Sequence, residues 1–269
     1  MSSNNLKFID DTENIIVVKP EKCLRIMTYN VHGFMNIKFV NKFENIVEII
    51  KLVDPDVLVL EEVYIYNKKR ICTTEQLVEQ MEKIGLIYNL FSNGINAIFS
   101  KYEINGYPFN LGKDPIRGVN RSAIICRIKD FLVIGTHLDV FDESGKTRKE
   151  QMNLILQTIK KYQKEDYENY RIIITGDFNS LKKSDYNTNE WKNIIDEDKK
   201  RNVDTVEDVV PLLEKSNYID SFDHCKKSIK VSVWSNRRVD YIFGKNIDFV
   251  NSYVYKSTVS DHYPIYADF

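Results

Sequence analysis

Neither sign of charge dominates this sequence. It has 38 lysines and arginines against 39 aspartates and glutamates, a formal net charge of -1. A strongly basic chain would imply sequence-blind binding to nucleic acid. The balance gives no such hint, and it leaves room for a local basic rim. Cysteine is scarce: Cys23, Cys72, Cys126 and Cys225 lie far apart, form no CxxC pair and match no zinc spacing. Cys126, inside the apolar stretch "SAIICRI", reads as a buried thiol, and the set suits a reducing compartment. No apolar run approaches the roughly 20 residues that span a bilayer. The first residues, "MSSNNLKFIDDTENIIVVKPEK", lack a basic segment followed by an apolar one. The expectation is a soluble intracellular protein, cytoplasmic or nuclear, with no transmembrane segment. No internal repeat or low-complexity linker is evident.

What is present is enough for one sizeable core: 269 residues, 43% of them hydrophobic. We read residues 1–22 as an N-terminal extension and 23–269 as a single domain. "CLRIMTYNV" is short, alternating and β-prone. Apolar residues at helical spacing predict a helix over Asn36–Val53, stopped at Asp54-Pro55. The apolar strand Val57–Leu60 follows. "TTEQLVEQMEKIG" is a capped helix ended by Gly85. "LIYNLFS", "INAIFS" and "RSAIICRI" are strand-like, the last preceded by a Gly/Pro-rich loop. "FLVIGTHLDV" and "RIIITGDFNS" are further strands, with the helix "KTRKEQMNLILQTIKKYQ" between them. Leu181–Asn202 is polar and reads as a loop insertion. A short helix in "VEDVVPLLEK" and three strands close the chain. Strands and helices are mixed with few strict βαβ repeats, which predicts an α/β sandwich: two sheets face to face with helices outside.

The informative feature is a recurrence. Apolar strands end in clusters of Asn, Asp, Glu or His: Asn30, Glu62, His137 with Asp139, Asp177 with Asn179, Asp240, and Asp261 with His262 before the last strand. Taken singly, each has an ordinary reading. Asn30 can be a turn residue, Glu62 beside Glu61 a solvated charge, and His137 a satisfied core imidazole. "GDFN" suits a tight turn, His32 sits in a Gly-containing turn, and His224 reads as surface. Taken together, acidic and amide groups converging from strand ends need a shared partner, because close like charges repel. A hard divalent cation with oxygen ligands fits, magnesium foremost, and manganese can substitute.

The ordered series "TYNVHG", "LVLEEV", "THLD", "GDFNS", "RVDYIF" and "SDHYPI" resembles the endonuclease/exonuclease/phosphatase superfamily, from Leu24 to the end of the chain. That superfamily includes abasic-site endonucleases, deoxyribonucleases, tyrosyl-DNA phosphodiesterases, sphingomyelinases and inositol polyphosphate 5-phosphatases. The resemblance implies a four-layer α/β sandwich, two mixed sheets flanked by helices, and metal-dependent hydrolysis of phosphoesters. It implies Glu62 as metal ligand, Asn30 beside it, and Asp261 as an additional metal-site carboxylate. Asp177 resembles the aspartate that orients or deprotonates the attacking water, and Asn179 the amide that contacts the phosphate. His262, oriented by Asp240, resembles the histidine that touches the scissile phosphate. His137 resembles a second histidine that assists the leaving group.

The sequence also departs from that pattern. His32 stands where the abasic-site and tyrosyl-DNA branches usually carry Asp, and Glu61 where Gln is common. Arg237 and Arg238 stand near Asp240, where the abasic-site branch has an aromatic residue. The "CDR"-type motif of the inositol phosphatases is missing. Candidate phosphate contacts are Arg121, Arg148, Arg237 and Arg238. "NKKR" (Asn67–Arg70), "LKK" and "DKKR" are candidate rims for a nucleic-acid backbone, and Tyr64, Tyr66 and Trp234 are candidate stacking platforms. For each of these, a solvated charge or core packing is the ordinary alternative. The expected substrate is nucleic acid cleaved by a magnesium-dependent nuclease or DNA-repair phosphodiesterase. The alternative is a phospholipid head group or small phosphoester. A scaffold without catalysis would be favoured by loss of Glu62, Asp177, Asn179 or His262, and all four are present. A monomer is expected.

Overall fold

The computed structural model describes residues 18–64, 70–92, 95–162, 169–226 and 231–269. Most of the extension at 1–22, together with Tyr66 and the first three residues of "NKKR", lies outside them. In chain order the elements are β1 (Arg25–Asn30), α1 (Phe43–Val53), β2 (Val57–Glu61), α2 (Thr74–Lys83), β3 (Tyr88–Ser92), β4 (Asn96–Ser100), β5 (Ile104–Lys113), β6 (Asn120–Ile128), β7 (Phe131–His137), α3 (Lys146–Tyr162), β8 (Arg171–Asp177), α4 (Thr188–Lys200), α5 (Val210–Lys215), β9 (Ile219–Asp220), α6 (Ser221–His224), β10 (Asp240–Lys245), β11 (Asn251–Val254) and β12 (Ile265–Asp268).

The strands form two six-stranded mixed sheets, in the orders β11-β12-β1-β2-β4-β3 and β5-β6-β7-β8-β10-β9. Each sheet has one parallel pair near its centre, β1 with β2 and β7 with β8; the other pairings are antiparallel. Three apolar layers follow from this arrangement. Ile26, Val57, Val59, Ile124, Val133, Ile173 and Ile265 fill the space between the sheets. Helices α1 and α2 bury Ile46, Ile50, Leu77 and Met81 on the outside of one sheet, and α3 and α5 bury Met152, Ile155, Ile159 and Leu213 on the other. The central strands are therefore buried on both faces, which is why "VLVL" and "RIII" read as continuous apolar runs instead of alternating. The sheets approach closely at Gly135, where a Cβ would stand 2.7 Å from Val59. This is the expected four-layer α/β sandwich.

Three expectations are corrected. The helix predicted from Asn36 starts only at Phe43. Asn36 Oδ1 accepts from the backbone N–H of Lys38 and Val40, and Phe39 takes a left-handed φ of 57°, so the chain turns instead of coiling. Ile37, Phe39 and Val40 then stand exposed. The Gly/Pro-rich segment before β6 is no loop: it is β5, a ten-residue edge strand paired along β6. An edge tolerates the missing N–H of Pro108. Within the supposed loop Leu181–Asn202 lies α4, whose capping box pairs Asn187 with Glu190. Its polarity reflects shallow burial, of Ile194 and Asp198 only.

Candidate active site

The C-terminal ends of the two parallel pairs open on the same end of the sandwich. In the first sheet Asn30 pairs with Glu61. Glu62, the next residue, takes a left-handed φ of 51° and leaves the strand. In the second sheet His137 pairs with Asp177, and Asp177 pairs with Asp240. Gly176 makes this edge possible, with φ 136° and no room for a Cβ, which would lie 1.9 Å from Thr136 O. Asn30 joins the sheets: its Nδ2 donates to Glu62 Oε1 at 3.1 Å and to Asp177 Oδ2 at 3.0 Å.

Around Asp177 Oδ2 stand two imidazoles, His137 Nε2 at 3.6 Å and His262 Nε2 at 3.7 Å. The other oxygen, Oδ1, accepts from Asn179 N at 2.9 Å. The Asn179 side chain donates to Leu138 O at 3.2 Å. His262 Nδ1 meets Asp240 Oδ2 at 2.9 Å. Ser260 accounts for part of the polar tip before the last strand, because its Oγ donates to Asn30 O at 2.8 Å and ties that tip to β1. Asp261 lies further out, 3.9 Å from His32 Nδ1. His32 in turn meets Met35 O at 3.2 Å, and its N–H donates to Asn30 Oδ1.

The charges at this edge are unevenly matched. Burial raises the Asp177 pKa to about 7; the facing His262 opposes the rise and Asp240 adds to it. Burial alone would lower the His262 pKa, but Asp240 and Asp177 outweigh it and hold the ring protonated, well above its usual value. His137 is the reverse: burial, Arg121 and His262 keep it neutral, and its Nδ1 has no hydrogen-bond partner among the described residues. Glu61, which sequence reading set aside, is fully buried and raised by burial and by Asp240 and Asp177, partly opposed by the 2.7 Å hydrogen bond from Thr28 Oγ1.

The candidate grip residues divide differently. Arg148 Nε pairs with Asp208 at 2.5 Å, and its Nη1 donates to two backbone carbonyls. Arg237 pairs with Asp198 at 2.7 Å. Arg238 is buried against both oxygens of Asp220, at 2.6 and 2.7 Å. These guanidinium groups are matched within the protein. Arg121 is also buried, with Nε unpartnered among the described residues. Trp234 is 61% exposed. It lines a cavity of about 550 Å³ together with Asn179, Asp261 and His262. Tyr64 is half-buried, under the Arg70 guanidinium at 3.5 Å. The same cavity includes Ile116, Arg117 and Phe141, which sequence reading missed; the Asp-x-x-Arg-Gly run at Asp114–Gly118 signals a turn and nothing more.

The donor set fits a divalent cation. Ligand atoms of Glu62, His137 and Asp177 lie within 4.8 Å of one another, as do those of Asp177, Asp240 and His262. One amide, that of Asn30, serves both Glu62 and Asp177, which leaves carboxylate charge uncompensated. Asp261 belongs to neither trio.

A family model described as "Endonuclease/Exonuclease/phosphatase family" matches residues 27–262. The chain belongs to this family. Its members are divalent-metal-dependent phosphoester hydrolases, and this chain is an enzyme of that class. Solved structures of the family share its two-sheet sandwich at low identity. An AP endonuclease from Archaeoglobus fulgidus is 19% identical, with 91% of this chain and 98% of that one covered and a TM-score of 0.61. TDP2 from D. rerio, complexed with single-strand DNA product, is 16% identical, with 92% and 99% covered and a TM-score of 0.57. A mannosyl-6-phosphatase from Bacteroides thetaiotaomicron is 19% identical, with 91% and 98% covered and a TM-score of 0.58. Among curated proteins, no sequence matches the chain significantly. No helix among the described residues is long and apolar enough to cross a membrane.

Proposed function

We propose that this enzyme is a magnesium-dependent nuclease or DNA-repair phosphodiesterase that cleaves its substrate by in-line attack of water. The observation that carries the reading is the edge itself: a buried carboxylate, Asp177, faced by a protonated histidine, His262, which lines a cavity large enough for a nucleotide. Glu62, with Asn30 and Asp261 beside it, would hold the ion. When bound, the ion supplies charge neutralisation at the phosphoryl oxygens and acidifies water.

The chain's own groups have complementary tasks. Asp177, with a pKa of about 7, is matched to accept a proton from water near neutral pH. Asn30 holds its Oδ2 in place. His262, fixed through Nδ1 by Asp240, offers an Nε2–H to a non-bridging oxygen as negative charge builds. Asn179 adds an amide donor to the same phosphate. His137, neutral and buried, stands 3.6 Å from Asp177 and would assist the leaving group. Trp234 gives a base an exposed face for stacking.

A labelled DNA panel tests this: intact duplex, single strand, abasic-site duplex and a 5′-tyrosyl end, each with and without chelator. Cleavage of one or more that is lost both with chelator and in Asp177→Asn supports the reading, and the preferred substrate identifies the branch. Silence on every DNA from a folded, magnesium-binding protein would move the assignment to lipid or small phosphoesters. One observation favours that second reading. Ile37, Phe39 and Val40 form an exposed apolar loop beside His32, whose ring lies 5.3 Å from that of Phe39. Binding to phosphatidylcholine vesicles that is lost in Phe39→Ser would support it.

A further inference from the structure

The turn joining β5 to β6 is built around a single carboxylate. Asp114 is buried, and it accepts from the N–H groups of Ile116 (3.0 Å), Arg117 (2.5 Å) and Val119 (2.5 Å). Gly118, with φ 68°, completes the turn by donating to Asp114 O at 3.1 Å. The acid nearest in sequence to Arg117 is therefore committed to backbone. Arg117 lies over the Phe141 ring instead, Cζ 4.2 Å from its centroid. Phe141 is itself held, since its N–H donates to Asp139 Oδ1 at 3.0 Å.

This makes Arg117 unlike the other arginines of the cavity. Arg148, Arg201 and Arg237 each pair with an aspartate, Asp208 or Asp198. Among the described residues, Arg117 has no carboxylate within ion-pair distance. A guanidinium held over a ring keeps N–H donors free at its edge, the geometry that receives two oxygens of one anion. It stands in the wall of the cavity that Asn179 and Asp261 also line. Arg117 and His262 line the same cavity, so one ligand can touch both.

We infer that Arg117, over the Phe141 ring at the β5–β6 turn, clamps a phosphate flanking the one that is cleaved, so that the preferred substrate is an oligonucleotide and not a lone phosphoester. This rests on the nuclease reading above and adds a position to it.

The test compares a single-stranded oligonucleotide with bis(p-nitrophenyl) phosphate, which has one phosphate and no flanking one. Wild type, Arg117→Gln, Arg117→Lys and Phe141→Leu are measured at magnesium saturation between 50 and 200 mM salt. The expected result for Arg117→Gln is a fall of about tenfold in the kcat/KM ratio of oligonucleotide to small ester, carried by KM. Its salt slope, log KM against log salt, should be shallower by about 0.7, one phosphate contact on a single strand. Arg117→Lys restores the slope. Phe141→Leu keeps the slope and raises KM, because the charge remains but its platform is gone. Equal losses on both substrates, or an unchanged ratio and slope, would overturn the clamp while leaving the nuclease reading in place. A wild type that cleaves the small ester and no nucleic acid would overturn both.

Discussion

Among the described residues two regions gather carboxylates closely, and the fold supplies more cationic charge to one than to the other. Ligand atoms of Asp185, Asp220 and Asp223 lie as close together as those of Asp177, Asp240 and His262. In the first cluster the Arg238 guanidinium binds Asp220 through two nitrogens and reaches Asp185 at 3.2 Å, and Lys182 pairs with Asp223 and Glu214. At the active-site edge, Glu62 and Asp177 share one amide, and His262 is the single group held protonated. Close acidic groups are thus no sign of a metal site by themselves. What distinguishes the two clusters is how much neutralising charge the fold supplies.

The sharpest way to separate them is to alter each and read opposite outcomes. Asp177→Asn should lower metal-dependent hydrolysis by roughly 10² to 10⁴-fold, and His262→Ala similarly, while both keep a native unfolding transition. Near-wild-type rates in both would remove these residues from the chemistry. Arg238→Ala should do the reverse. Arg238 is 1% exposed, and removing it leaves Asp220 and Asp185 buried without it, which costs roughly 3–5 kcal/mol. Urea denaturation measures this. A loss under 1 kcal/mol would mean that the cluster tolerates its own charge, and the contrast would collapse.

Metal binding gives a smaller effect. Magnesium at a hundred times its Kd should stabilise the wild type by about 2.7 kcal/mol, read as a rise in Tm over the chelated protein. Glu62→Gln should abolish most of that rise. The same rise in Glu62→Gln would place the ion elsewhere.

How much of this contrast the sequence displayed depends on the range of the interaction. Strand ends and their polar tips are local signals, so Asn30, Glu62, His137, Asp177 and His262 were legible together with the sandwich that gathers them. The pairing of Arg148 with Asp208 spans 60 positions, and that of Arg238 with Asp220 spans 18. No local pattern tells a matched arginine from a free one. Arg117 lies close to Asp114 in sequence, and only the folded turn shows that this carboxylate is committed to backbone. The errors in secondary structure have the same origin. Ile37 and Val40 continue the helical spacing of α1, yet the Asn36 side chain captures the backbone ahead of it. Helix α4 is too polar for its period to show, although its Asn187–Glu190 cap is written in the sequence.

The smallest effect tests whether a proton substitutes for the metal at the active-site edge. Burial raises Asp177 from its ordinary 3.8 to about 7, with His262 opposing and Asp240 reinforcing the rise. A raised pKa means that the folded state holds its proton more tightly than the unfolded one. The contribution to stability is therefore full below pH 3.8, where both states are protonated, and is lost as pH rises through about 7. His262, also raised, loses its contribution in the same direction above its ordinary 6.5. In chelator, stability should fall between pH 5 and 6 by about 1.4 kcal/mol, the equivalent of one pKa unit. Asp177→Asn should make the slope shallower without metal, and saturating magnesium should do so in the wild type by adding positive charge near the carboxylate. Arg238, held protonated by Asp220 and Asp185 against the opposing effect of burial, adds no proton change in this range. If Asp177→Asn keeps the wild-type slope, Asp177 is not the titrating group.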